Sequence, residues 1–237
     1  VQLLACLPKK HDKMKAKKGA FMYKHPVLLQ IELFARAFHS GDASGHDWHH
    51  IRRVRGLALY IAEKEEKGDR FIIEASALLH DIPDVKLNAD NQKGAKKLKA
   101  FLNSLPLAEY QKEQIQNIVA SISFKGGNET ELLHFEAMAV RDADRLDAIG
   151  AIGIARAFAY GGKKGQPLYD PELPVRKQMT EEEYRNGKTS SIHHFYEKLL
   201  LLKDRLYTET AKKLAEERHY FMEQFLQEFF KEWNVER

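Results

Sequence analysis

At 237 residues the chain is long enough for one large domain, or for a domain carrying a helical extension. Hydrophobic residues make up 43% and charged residues 30%, the balance of a soluble globular protein. No apolar run reaches the ~18–20 residues of a membrane-spanning helix, so no membrane partner is expected. The formal charge of +4 admits anionic substrates such as nucleotides but is too small to argue for nucleic acid. The single cysteine, Cys6, excludes an internal disulfide and points to a reducing, cytoplasmic setting. Few prolines and glycines, and few alternating β-branched runs, predict an all-α fold.

Residues 1–21 read apart from the rest. A short apolar start is followed by a lysine-rich run (Lys9, Lys10, Lys13, Lys15, Lys17, Lys18), the reverse of a signal peptide's order. They are expected to be a disordered basic tail or a start-site artefact, with Met22 as the start, or else an arm for anionic partners. Residues 22–237 are then one helical domain with C-terminal helices, about 190–235, packed on it. Pro26 suits the first turn of a helix reaching Ser40-Gly41. Asp47 caps a second helix running to about Glu65, with Ile51, Val54, Leu57, Ala58 and Ile61 at helical spacing. His50 shares that inward face, and Arg53, three residues on, reaches the same side.

A third helix, Arg70 to Leu79, ends in His80-Asp81-Ile82-Pro83-Asp84. An imidazole nitrogen beside a carboxylate suits a borderline divalent cation. Adjacent helical residues point ~100° apart, so both reach one ion only at a helix end, which Pro83 supplies. The alternative is a C-terminal histidine favoured by the helix dipole beside a turn aspartate. Helices follow from about Lys93 to Leu105 and from Pro106 to the stop at Gly126-Gly127, with Lys125 beside it.

Glu131 to Ala148 predicts a helix that is apolar until Asp142, Asp144 and Asp147 arrive. Asp144 aligns with Val140 and Ala148 on the buried face, with Asp142 and Asp147 to either side. A buried carboxylate needs a cation, either a metal or Arg141 or Arg145. Gly161 to Lys177 forms a long loop of the kind that serves as a lid. Thr180 begins a capping box, and Ser190 to about Trp233 reads as a pair of long amphipathic helices breaking near Tyr207-Thr208. These offer a face for a homodimer.

His50, His80, Asp81 and Asp144 thus come from three helices and form a mixed nitrogen and oxygen set suited to Mn²⁺, Fe²⁺, Zn²⁺ or Mg²⁺. The order His, then His-Asp, then Asp resembles the HD-domain metal-dependent phosphohydrolases. The blocks His46 to Val54, Leu78 to Ile82, Asp142 to Gly153 and His194 to Leu200 are similar to their YedJ/YpgQ-like bacterial subfamily. The resemblance implies one divalent metal on those four residues, Mn²⁺ being favoured and Ni²⁺ also admitted, with Asp142 the rival of Asp144. It implies hydrolysis of nucleoside triphosphates to the monophosphate and pyrophosphate. A 5′-nucleotidase, a guanosine-tetraphosphate-type hydrolase and a nucleotide sensor without turnover are the alternatives. Asp84 is expected to orient the attacking water. Arg53, Lys86 and Lys125 are expected to neutralise phosphate charge, and His46 and His49 to contact substrate.

Overall fold

The computed structural model describes residues 25–41, 45–84, 88, 91–122 and 131–236. The elements are α1 (Pro26–Phe38), α2 (Trp48–Glu65), α3 (Arg70–Leu79), α4 (Asn91–Ser104), α5 (Glu109–Ile122), α6 (Phe135–Asp147), α7 (Gly150–Lys163), α8 (Glu181–Asn186), α9 (Ser191–Glu197) and α10 (Glu209–Trp233). No strand occurs among the described residues, as the composition predicts. The basic segment 1–21, Lys86 and Lys125 lie outside them.

Helix α3 is the hub. Every residue from Ile72 to Leu79 is buried, so the helix has no solvent face, and α1, α2, α5 and α6 pack around it. Such a helix must start and stop on command. Asp69 begins it by accepting the N–H groups of Phe71 (2.8 Å) and Ile72 (3.2 Å). Gly68, at φ +83°, leaves room before it, since a Cβ there would stand 2.8 Å from the Phe135 ring. The one carboxylate inside the helix, Glu74, is answered by Arg55, whose Nε donates to it at 2.8 Å and whose Nη1 donates to Glu32 at 2.8 Å. The helix ends at His80 as predicted. The turn Asp81 to Asp84 follows, closed by the Asp84 N–H on the Asp81 carbonyl (3.1 Å). Pro83 fits there because α4 presents Gly94, where a Cβ would meet the Pro83 Cα at 2.7 Å.

Asp47 caps α2 as expected, accepting the His50 N–H at 2.8 Å. The Thr180 capping box is present in both directions. Three expectations are corrected. Helix α5 begins at Glu109, because Leu105 to Ala108 form a turn in which the Leu107 N–H reaches the Leu105 carbonyl. Helix α6 begins at Phe135, with Leu133 83% exposed ahead of it. The first C-terminal helix is short: Lys198 leaves the helical region at φ −143°, and two 3-10 turns, Leu199–Leu201 and Lys203–Arg205, carry the chain on. The run of four leucines favours this, since burying Leu199 and Leu202 together suits a three-residue period.

Helix α10 packs on α2, α6 and α7 and starts at Thr208, near the predicted break. Its anchor is Asp142, fully buried, which accepts the backbone N–H groups of Tyr207 (3.0 Å) and Thr208 (2.8 Å) and the Thr208 hydroxyl (2.9 Å). Burial raises its carboxyl pKa against the pull of those bonds.

Candidate metal centre

The C-terminal end of α3, the first turn of α2 and the last turns of α6 meet at one point. The His50 and His80 Nε2 atoms stand 3.3 Å apart. His50 Nε2 lies 3.3 Å from Asp81 Oδ2 and 3.5 Å from Asp144 Oδ1. His80 Nε2 lies 3.5 Å from Asp81 Oδ1 and 3.7 Å from Asp144 Oδ1. Ligand atoms held ~2.1 Å from a common centre lie ~3.0–3.5 Å from one another, and two overlapping groups, His50 with His80 and Asp144 and His46 with His50 and Asp81, each bring three donor atoms close enough to hold an ion. Asp144 turns toward a cavity, its side chain 29% exposed, while the other three are buried. Asp142, the rival, points the opposite way onto α10 and takes no part.

The outer contacts aim both imidazoles inward. His50 donates its Nδ1 proton to Asp147 (2.7 Å), and His80 donates its own to the Ala77 carbonyl (2.8 Å), leaving each Nε2 toward the gap. The gap therefore demands positive charge. In the bare protein a proton on His80 supplies it. Burial pushes that imidazole's pKa down, but the Asp81 charge and the bond to Asp144 outweigh it and raise the pKa to about 9. Asp144 is held well below the usual carboxylate range: burial works the other way and is overcome by His80. A divalent cation would answer these clustered donors, so they fit a metal.

Asp147 is the residue that sequence reasoning missed. Its side chain is 2% exposed, and it receives Arg53 Nε (2.6 Å), Arg53 Nη2 (3.0 Å) and Arg156 Nη1 (2.8 Å) besides His50. This corrects the reading of Arg53. Its guanidinium is committed to Asp147 and lines a groove on the far side with Arg218, outside the cavity. His49 is exposed on α2 and is not among the cavity residues. His46 does line the cavity, and its Nδ1 donates to Asp81 Oδ2 at 2.9 Å. Asp84 lines it as well, one turn beyond the His-Asp pair.

The cavity encloses about 310 Å³. Beyond the four-residue gap its walls are α7, α9 and the segment from Lys164 to Thr189. That segment is tied down at Arg176, which donates to Glu197 through Nε (2.8 Å) and Nη2 (2.6 Å), and at Thr189, which donates to the same carboxylate (3.0 Å). Next to Glu197 comes Lys198, half-buried in the cavity. Burial lowers its pKa to about 8, against the attraction of Asp144 and then Asp84. In the sequence, Lys198 falls only within the block His194 to Leu200 that carries the family resemblance.

The family model described as "HD domain" matches residues 47–149. The Bacillus subtilis protein YpgQ is 42% identical over 205 residues, 86% of this chain and 92% of that protein. The chain belongs to the HD superfamily, in its YpgQ-like branch. It is a metal-dependent phosphohydrolase. A Lactobacillus plantarum structure superposes with a TM-score of 0.82 at 38% identity, covering 88% of this chain and 97% of that one. B. subtilis YpgQ in complex with ADP gives 0.69 at 38% identity over 86% and 97%. An HD-superfamily hydrolase from Bacillus thuringiensis gives 0.67 at 44% identity over 89% and 98%. No helix among the described residues is long and apolar enough to cross a membrane.

Proposed function

We propose that this HD hydrolase cleaves nucleoside or deoxynucleoside triphosphates to the monophosphate and pyrophosphate, with Mn²⁺ as the favoured metal. The observation that carries the reading is the cavity itself. His80, Asp81 and Asp144 line its inner end with His50 beside them, and Lys198 and Arg156 line it from two walls. That arrangement suits a phosphate chain reacting at a metal, and the ADP bound by YpgQ supports a nucleotide as its owner.

In this reading His50, His80, Asp81 and Asp144 hold one divalent ion. When bound there, a divalent ion would supply Lewis acidity toward water and the phosphoryl oxygen. Asp84, which lines the cavity, would orient the attacking water and accept its proton. Lys198 offsets charge on the phosphates, and the Arg156 N–H groups not spent on Asp147 add to it. Asp147 holds His50 in the tautomer that leaves Nε2 unprotonated. Asp147→Asn keeps the shape and loses the charge, so the apparent metal dissociation constant is expected to rise ~10–100-fold. A metal titration followed by activity reads this directly, and an unchanged constant would remove Asp147 from the scheme.

Metal uptake must also displace the His80 proton, because that group is charged at neutral pH in the bare protein. About one proton per ion is expected to be released near pH ~7, with affinity climbing as pH rises toward about 9. Calorimetry in buffers of different ionisation enthalpy measures the release. Heats independent of buffer would contradict it.

The function itself is tested with metal-stripped protein, a panel of nucleotides, and Mn²⁺ added or withheld, resolving the phosphorus products. Metal-dependent pyrophosphate from triphosphates is the expected result. Orthophosphate from monophosphates would replace the reading with that of a nucleotidase, and nucleotide binding without turnover with that of a sensor.

A further inference from the structure

The cavity has a chemical direction, which two helices report independently. Gly153, Arg156, Ala157 and Tyr160 line it from α7, at spacings of three, four and seven residues, so they form one stripe along that helix. The stripe starts at the metal-ligating end: a Cβ on Gly153 would meet the Ala148 carbonyl oxygen at 2.2 Å, and Arg156 is bonded to Asp147. At 1.5 Å per residue, Tyr160 lies ~10 Å farther along. On the facing wall α9 runs the other way. Lys198 feels Asp144 and Asp84, whereas Ser191 abuts Gly161, where a Cβ would fall 2.2 Å from its hydroxyl oxygen. The inner end is thus defined by Gly153, Arg156 and Lys198, and the outer end by Tyr160, Gly161 and Ser191.

The outer end differs in chemistry as well as in position. Gln166 is fixed there by its backbone N–H on the Gly161 carbonyl (2.9 Å). Its half-buried side chain lines the cavity, with Oε1 3.8 Å from the Cβ position of Gly161. Among the described residues its amide has no hydrogen-bonding partner. Lys164 lines this end as well, its ammonium 5.9 Å from the centre of the Tyr160 ring, but the aromatic ring and the uncommitted carboxamide beside it are good company for a nucleobase. A ring stacks on any base. A carboxamide carries a donor and an acceptor side by side, which matches the N6 donor and N7 acceptor of adenine, whereas guanine shows two acceptors on that edge.

Building on the triphosphate reading, we propose that the outer end is a nucleobase subsite in which Tyr160 supplies the stacking face and Gln166 selects adenine. The phosphates then run inward past Arg156 and Lys198 to the four-residue centre. Specificity for the base resides in α7 and the segment after it, away from the His and Asp residues that do the chemistry.

The test uses two readouts on Mn²⁺-loaded protein. One is kcat/KM for ATP, GTP and inorganic tripolyphosphate. The other is calorimetric binding of α,β-methylene ATP and α,β-methylene GTP, which resist cleavage at the bond in question. Wild type is expected to favour the adenine member by about tenfold in both readouts and ATP over tripolyphosphate by more. Gln166→Ala should bring the adenine-to-guanine ratio within about twofold of unity, and Tyr160→Leu should weaken both nucleotides relative to tripolyphosphate. Triphosphates cleaved with a base ranking that Gln166→Ala leaves unmoved would overturn the subsite and spare the function. A binding preference that the variant abolishes, in a protein that cleaves none of them, would spare the subsite and overturn the function.

Discussion

Asp144→Ala is expected to lower metal-dependent kcat/KM on the order of 10³-fold, equivalent to about 4 kcal/mol, while Asp142→Ala leaves metal binding intact and unfolds earlier. The two aspartates sit two residues apart and do unrelated work. Removing Asp144 takes one oxygen from the gap and leaves His80 without the partner it faces at 3.7 Å. The variant should still fold, because that side chain opens on the cavity. Removing Asp142 strands the N–H groups of Tyr207 and Thr208 in a buried place, at about 1–3 kcal/mol for each unsatisfied donor. For a chain of this size about 3 kcal/mol lowers Tm by roughly 6–12 °C. Thermal melts and Mn²⁺ titrations of both variants decide the matter. An Asp142 variant that melts normally but no longer binds metal would reverse the assignment.

That pair also shows where the sequence was legible and where it stopped. Helical periodicity is a local property, and it located α2 with its Asp47 cap, bounded α3 at Arg70 and Leu79, and put His80-Asp81 at a helix end. It ordered the three aspartates of α6 by face but not by partner. The partner of Asp142 is a backbone 65 residues away, and those of Asp147 include His50 and Arg53, 97 and 94 residues away. Both carboxylates are more deeply buried than Asp144, contrary to the expected order, because each has donors that periodicity cannot see. Arg53 was placed correctly beside His50 on α2, but the anion it meets is Asp147 and not a phosphate. The cations of the cavity were harder still. Lys198 follows a seven-residue helix and precedes two 3-10 turns, and no periodic pattern aims a side chain from such a break. It was visible only inside the block resembling the family.

Lys198→Met is the second large effect expected, a fall of ~10²-fold in kcat/KM, about 2.7 kcal/mol, with Mn²⁺ affinity unchanged. Methionine keeps most of the unbranched apolar stem and removes the ammonium, so the lost charge is what is measured. The ammonium is half-buried in the cavity, where an ion is a stronger electrostatic partner for a phosphate than in bulk solvent. The same burial makes it fragile. With its pKa lowered to about 8, the group is charged below that pH and neutral above it. The activity that depends on its charge is therefore fully present at neutral pH and lost as pH climbs through about 8. The alkaline limb of the kcat/KM profile should disappear in Lys198→Met. It should move upward in Lys198→Arg, whose guanidinium does not titrate in that range. If the limb persists unchanged in both variants, another group sets it and Lys198 is structural. If it vanishes with the metal titration curve unmoved, the charge acts on the substrate and not on the ion.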